Sequence, residues 1–115
     1  MRGSANPIRV LEYITREGRN PYRDWLERQN LVLQARIEAR IFRVSQGNLG
    51  DVKTVGHGVC ELRLPFGPGY RVYFGREGGE TVILLIGGAK HTQRKDIMTA
   101  RSYWLDYLER NNDGT

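Results

Sequence analysis

Two arginines and a tyrosine stand at alternating positions in ELRLPFGPGYRVYF, residues 61–74. The stretch reads as two short strands folded over a turn rich in glycine and proline. Strand alternation puts Leu62 and Leu64 on one face with Tyr70, Val72 and Phe74, and Glu61, Arg63, Arg71 and Tyr73 on the other. A guanidinium offers a planar fork of N–H donors that matches the non-bridging oxygens of a phosphate and stays charged. Arg63 and Arg71, on adjacent strands and facing the same way, are therefore read as a clamp for one phosphate. Tyr73 beside them either stacks on a base or covers the arginine stems. The other use of these arginines is cross-strand ion pairing with Glu61 and Glu77.

Groups that move protons are scarce. Lys90 and His91 lie in GGAKHTQ, residues 87–93, where a strand gives way to a helix whose first N–H groups favour a nearby anion. Either side chain could act as base or acid, and His91 also reads as a plain solvent-facing residue at a helix start. Further back, Arg36, Arg40 and Arg43 share one flank of a helix, either as a solvated face or as a ridge that contacts phosphates. His57 reads as a polar loop residue. The two tryptophans, Trp25 and Trp104, have helical spacing to other apolar residues and belong to the core. The paired glycines mark turns and lack the spacing of a nucleotide-binding loop.

Positioning these groups requires a small sheet with helices. Residues 8–15, IRVLEYIT, are β-branched and aromatic, as a first strand should be. Asn20-Pro21 is a helix start, an N-cap followed by a proline at the first helical position, and leads into YRDWLERQ. A second helix is expected over 32–46, with Leu33, Ile37, Ile41 and Val44 as its apolar stripe and Gly47 at its end. Residues 51–58 read as a loop. The hairpin follows, then a third strand at 81–86, apolar on both faces. A last helix runs from Thr92 or Gln93 to about Arg110, with Ile97, Ala100, Trp104 and Leu108 facing inward. The expected order is β-α-α-β-β-β-α, an α+β domain over 8–110 with 1–7 and 111–115 as flexible ends. Its sheet should be twisted and antiparallel, the first strand pairing with the last. Helices should cover one face and leave the other, with Arg63, Arg71 and Tyr73, open.

At 115 residues the chain is long enough for one core. Its net charge of +5, the basic side almost wholly arginine, favours a polyanionic partner, but many proteins without such a partner share an excess of this size. One cysteine, Cys60, excludes an internal disulfide and fits a reducing cytoplasm. Two histidines and one cysteine do not make a structural zinc site, and no metal or cofactor is expected. The first seven residues lack the apolar stretch of a signal peptide, and VILLI is far too short to cross a bilayer. The opening MRGS resembles an expression-vector leader.

Several separated motifs occur together: NPYRDWL, ARIEARIFR, GNLGDVK, ELR, FGPGYRVYF and ILLIGGAKHTQRKDI. Over Val10 to Tyr107 the chain resembles the HigB-like branch of the RelE/ParE toxin superfamily. The resemblance implies a RelE-like domain and a toxin encoded beside an antitoxin, a small helix-turn-helix protein. HigB-like members sit with the ribosome-dependent endoribonucleases that cut messenger RNA, whereas ParE-like members inhibit DNA gyrase. A third possibility is a basic module that binds nucleic acid or protein without catalysis. For the ribonuclease, a ribose 2′-OH attacks the adjacent phosphate, and the enzyme must accept that proton, stabilise the phosphorane and protonate the 5′ leaving oxygen. Arg71, Arg63, Tyr73, Lys90 and His91 are then the catalytic candidates, and Lys53 joins the three helix arginines as RNA contacts. Tyr103 and Tyr107 on the last helix are expected to meet the antitoxin. The sequence departs from the family at Ala89, where GGDK is usual, and at His91, where a small polar residue is common.

Overall fold

The computed structural model describes residues 6–113; the MRGS opening lies outside them. Capping sets the helix starts, at Asn20-Pro21 as the sequence expects and, after Asn30, one residue before the expected start of the second helix. Asn20 begins α1 (Pro21–Glu27) by accepting the Arg23 N–H at 2.9 Å, and Asn30 begins α2 (Leu31–Ser45) by accepting the Leu33 N–H at 2.9 Å. Five strands follow the order β1 (Arg9–Glu12), β2 (Val52–Thr54), β3 (Val59–Arg63), β4 (Arg71–Glu77) and β5 (Thr81–Gly88). A short 3-10 turn, Lys90–Thr92, leads into α3 (Gln93–Asp113), which continues past the expected stop at Arg110.

The strands form one sheet in the order β1-β5-β4-β3-β2. The class is α+β, but the sheet is mixed. β1 pairs with β5 in parallel, Val10 beside Val82, while the other neighbours are antiparallel. The expected antiparallel closure fails because residues 52–54, read as loop, are a strand. The α1–α2 hairpin returns the chain so that the next strand runs against β1. That strand is β2, and the extra reversal it introduces inverts the direction of every strand after it.

The second correction concerns the faces. Helices cover both. On one side α1 and α2 pack on Leu62, Leu64, Val72, Phe74, Val82 and Leu84 through Tyr22, Trp25, Leu26 and Ile37. On the other, α3 brings Ala100 and Trp104 onto Val59, Tyr73, Ile83 and Leu85. Glycines let the two indoles touch the sheet: a Cβ on Gly87 would overlap the Trp25 ring, and one on Gly75 the Trp104 ring. A bulge between Tyr73 and Phe74, paired with Ile86 and Leu84, leaves Leu85 unmatched and shifts the alternation beyond it. The sequence reading puts the α3 stripe in the same layer as α1 and α2 and so leaves the other face open; the structure puts α3 on that face. Strand β5, apolar on both faces, is the element that requires two layers.

Candidate functional site

The hairpin β3–β4 places Glu61 opposite Tyr73 and Arg63 opposite Arg71. The alternation is as the sequence implies, but α3 lies over it, and the centre of the cluster is the carboxylate. Glu61 is fully buried. Its Oε2 accepts the Tyr73 hydroxyl at 3.0 Å and the Gln93 amide at 2.8 Å. Three cations surround it: Arg71 Nε at 3.4 Å from Oε2, Arg63 Nε at 3.5 Å and Lys53 Nζ at 3.8 Å from Oε1. One carboxylate among three cations leaves an excess of positive charge, and Arg63 and Lys53 are about half exposed, at 44% and 50% of their side-chain area. The cluster thus presents Arg63 and Lys53 to solvent around a buried anion.

Arg71 differs from its neighbours. Its side chain is 8% exposed, and Nη1 donates to the Gly69 carbonyl at 2.6 Å. Its Nε and the Glu61 Oε1 are buried with no hydrogen bond of good geometry, only the longer ion-pair contacts. Gly69, at φ 73°, holds the turn against the start of α3. A Cβ there would lie 2.9 Å from Lys90 Cβ and 3.0 Å from Arg71 Nη1, and the Lys90 N–H donates to the Pro68 carbonyl at 3.3 Å. Lys90 is therefore exposed beside Arg71, with His91 exposed next to it.

The remaining expected residues are placed differently. Tyr73 is fully buried and cannot stack on a base; burial first, then the Glu61 charge and hydrogen bond, push its phenol well above the ordinary range. Arg40 is buried, its guanidinium donating to the carbonyls of Asn48 (3.2 Å) and Leu49, so it ties the end of α2 to the loop before β2 and leaves no ridge with Arg36 and Arg43. Arg36 is exposed and lies 4.3 Å from the Phe66 ring centre; Arg43 is exposed. Both are on the helical layer opposite α3, away from the Glu61 cluster. Tyr103 stacks on Tyr13 at 4.9 Å between ring centres. Tyr107 stacks on Trp104 at 5.2 Å and donates to Glu77 at 3.1 Å. Those two tyrosines are largely used within the chain. The apolar side chains that α3 exposes are Met98, Leu105 and Leu108.

Arg63 and Arg71 do pair with Glu61, as one of the two readings held, whereas Glu77 is taken by Tyr107. The sequence did not single out Gln93 or the central role of Glu61. A charged residue alternating with buried leucines, on a strand flanked by two others, was the available signal. Recognising β2 would have added Lys53, which lies directly opposite Glu61.

An uncharacterized protein of Haemophilus influenzae is 51% identical over 78 residues, which is 67% of this chain and 79% of that protein. The two chains belong to one family. No family model matches the chain. Among the described residues no group of three or more His, Cys, Asp or Glu could hold a metal ion, and no helix is long and apolar enough to cross a membrane.

Proposed function

We propose that the protein is the toxin of a toxin-antitoxin pair and cuts messenger RNA on the ribosome, without a metal, at the surface made by Arg63, Arg71, Lys53 and Lys90. The observation that carries this reading is the Glu61 cluster. Buried Glu61 pairs with the half-exposed Arg63 and Lys53 and with the buried Arg71, so a phosphate arriving there meets two solvent-facing cations held beside a third. In this reading Arg71 and Arg63 hold the scissile phosphate. The 2′-OH oxygen bonds to phosphorus, the P–O5′ bond breaks, and Lys90, exposed beside Arg71, and His91, the next residue, move the two protons. Tyr73 and Glu61 position the arginines rather than touch RNA. The β1–β5 closure and the helix order are read as a RelE-like domain. The antitoxin and the cytoplasmic ribosome are the partners this role requires.

A non-catalytic binding module is the second reading. It is favoured by the burial of Glu61 and Tyr73, which leaves few groups for proton transfer. Primer extension on messenger RNA in a reconstituted translation reaction separates the two. The first reading expects new 3′ ends inside the ribosome-occupied codon with the wild-type chain and at least tenfold fewer with Arg63→Ala. Binding without new ends would establish the second.

A further inference from the structure

Helix α2 is apolar on two opposite faces. Ile37, Ile41 and Val44 turn inward and pack on the core. The other face carries Val32, Ala35, Ala39 and Phe42, all exposed and spaced by three, four and three residues. Val32 is 69% exposed, Phe42 61%, and Leu31 beside them 81%. A helix packed on a core by one stripe ordinarily turns polar residues to water on the opposite side. Single apolar side chains at a surface need no explanation. A row that repeats the spacing of a coiled-coil seam along about three turns does. The two alanines in its middle let the backbone of a second helix come close, and the large side chains at its ends would cover that helix.

The flanks of the row say which helix fits. In coiled-coil terms Val32 and Ala39 are a positions and Ala35 and Phe42 are d positions. Leu31 and Glu38 then occupy the g flank, and Arg36 and Arg43 the e flank. In a parallel pair of helices each g position faces the next e position of its neighbour. Two copies of α2 in parallel therefore bring Glu38 of each against Arg43 of the other, and Leu31 against the stem of Arg36. An antiparallel pair would set arginine against arginine. Glu38 has room for the second cation: its pairing within the chain is to Arg23 at 3.6 Å, and its side chain is 54% exposed. The helix is thus complementary to itself in one orientation.

We propose that α2 is the contact of a two-fold symmetric dimer of this chain, its two copies packed in parallel along Val32, Ala35, Ala39 and Phe42. The same patch serves both copies, so the contact closes on itself and builds no filament. Three turns of helix make a small interface, which places the dimer among weak, concentration-dependent ones. Because α2 lies in the layer opposite α3, the dimer leaves Arg63 and Lys53 open, and it stands apart from the nuclease reading.

Sedimentation equilibrium of the purified chain across a wide range of concentration is the test. The expected result is a monomer–dimer equilibrium in the micromolar range, weakened at least tenfold by Phe42→Gln with the melt of the monomer unchanged. Glu38→Arg and Arg43→Glu each set like charges across the seam, so each alone should weaken the dimer severalfold. Mixed in equal amounts, the two variants should dimerise as well as the wild-type chain, since both pairs across a mixed dimer are again glutamate with arginine. A monomer at every concentration overturns the proposal, whether or not another protein then proves to cover the face. So does a dimer indifferent to Phe42→Gln, or a mixture of the two charge variants no better paired than either one.

Discussion

Glu61→Gln keeps the shape of the buried side chain and removes its charge. Tyr73 and Gln93 still find an oxygen to donate to, but the amide N–H₂ then faces Arg63 and Lys53, two groups that also donate. Those two are half exposed, so their pairing with Glu61 is screened by water and contributes at most about 1 kcal/mol each. Arg71 is the costly partner. Its side chain is 8% exposed, and breaking a buried pair from one side costs about 3–5 kcal/mol. Arg71 keeps its bond to the Gly69 carbonyl, which places the expected loss at the lower end, ~3 kcal/mol. At about 4 °C per kcal/mol for a domain of this size, Tm should fall by about 12 °C. Thermal and urea melts with circular dichroism measure it. The double variant Glu61→Gln with Arg71→Met should recover most of the loss, because no charge is then left buried alone and Tyr73 and Gln93 keep an oxygen to donate to. An unchanged Tm for Glu61→Gln, or a double variant less stable than the single, would refute the reasoning.

Gly75→Ala and Gly87→Ala each drive a methyl into an indole, from opposite faces of the sheet, and each should lower stability by about 1–3 kcal/mol in urea melts; a neutral result at either would mean that helix layer can shift. Asp106 accepts the Tyr13 hydroxyl and the Arg16 guanidinium, and these bonds, with the Arg110 charge, hold its carboxyl below the usual range against the opposing pull of burial. A carboxyl lowered in the folded state stabilises above its unfolded pKa, about 4, and that contribution is lost as pH falls through the folded value. Asp106→Asn should therefore flatten the acid limb of stability against pH and leave the slope above pH 5 unchanged. Tyr13 is pushed up to about 12, chiefly by burial, so spectrophotometric titration should find it still protonated at pH 11; its stabilisation is complete below pH 10 and declines above it.

How much of this was legible depended on whether local signals stood alone. Asn20-Pro21 fixed the first helix start, because capping is decided within a few residues, whereas the sequence reading passes over the Asn30 cap of α2 and places its start at 32. Alternation placed Leu62, Val72 and Phe74 correctly on the core and Glu61, Arg63, Arg71 and Tyr73 opposite them. It could not say what lay over that second face, since the partner, α3, is thirty residues away in sequence. β2 escaped because a three-residue edge strand flanked by glycines has no periodicity to read. Missing it cost both the Lys53–Glu61 pairing and the direction of β1. Arg40 shows the same limit: its spacing matched Arg36 and Arg43, and only the fold of the following loop turned it inward. Arg71, on a face the sequence reads as open, is buried against Glu61, so Arg71→Ala removes a structural contact as well as the proposed phosphate donor.

For that reason the exposed cations make the cleaner probe of the central claim. The decisive measurement is the chemistry of the RNA ends produced on translating ribosomes by the wild-type chain and by Lys90→Ala and Arg63→Ala, each shown by its melt to be folded. Attack by the 2′-OH leaves a 5′-hydroxyl on the downstream fragment, which polynucleotide kinase labels without prior phosphatase. The account predicts such ends with the wild-type chain and at least tenfold fewer with either variant. Fragments bearing 5′-phosphates, or cleavage undiminished in both folded variants, would contradict it.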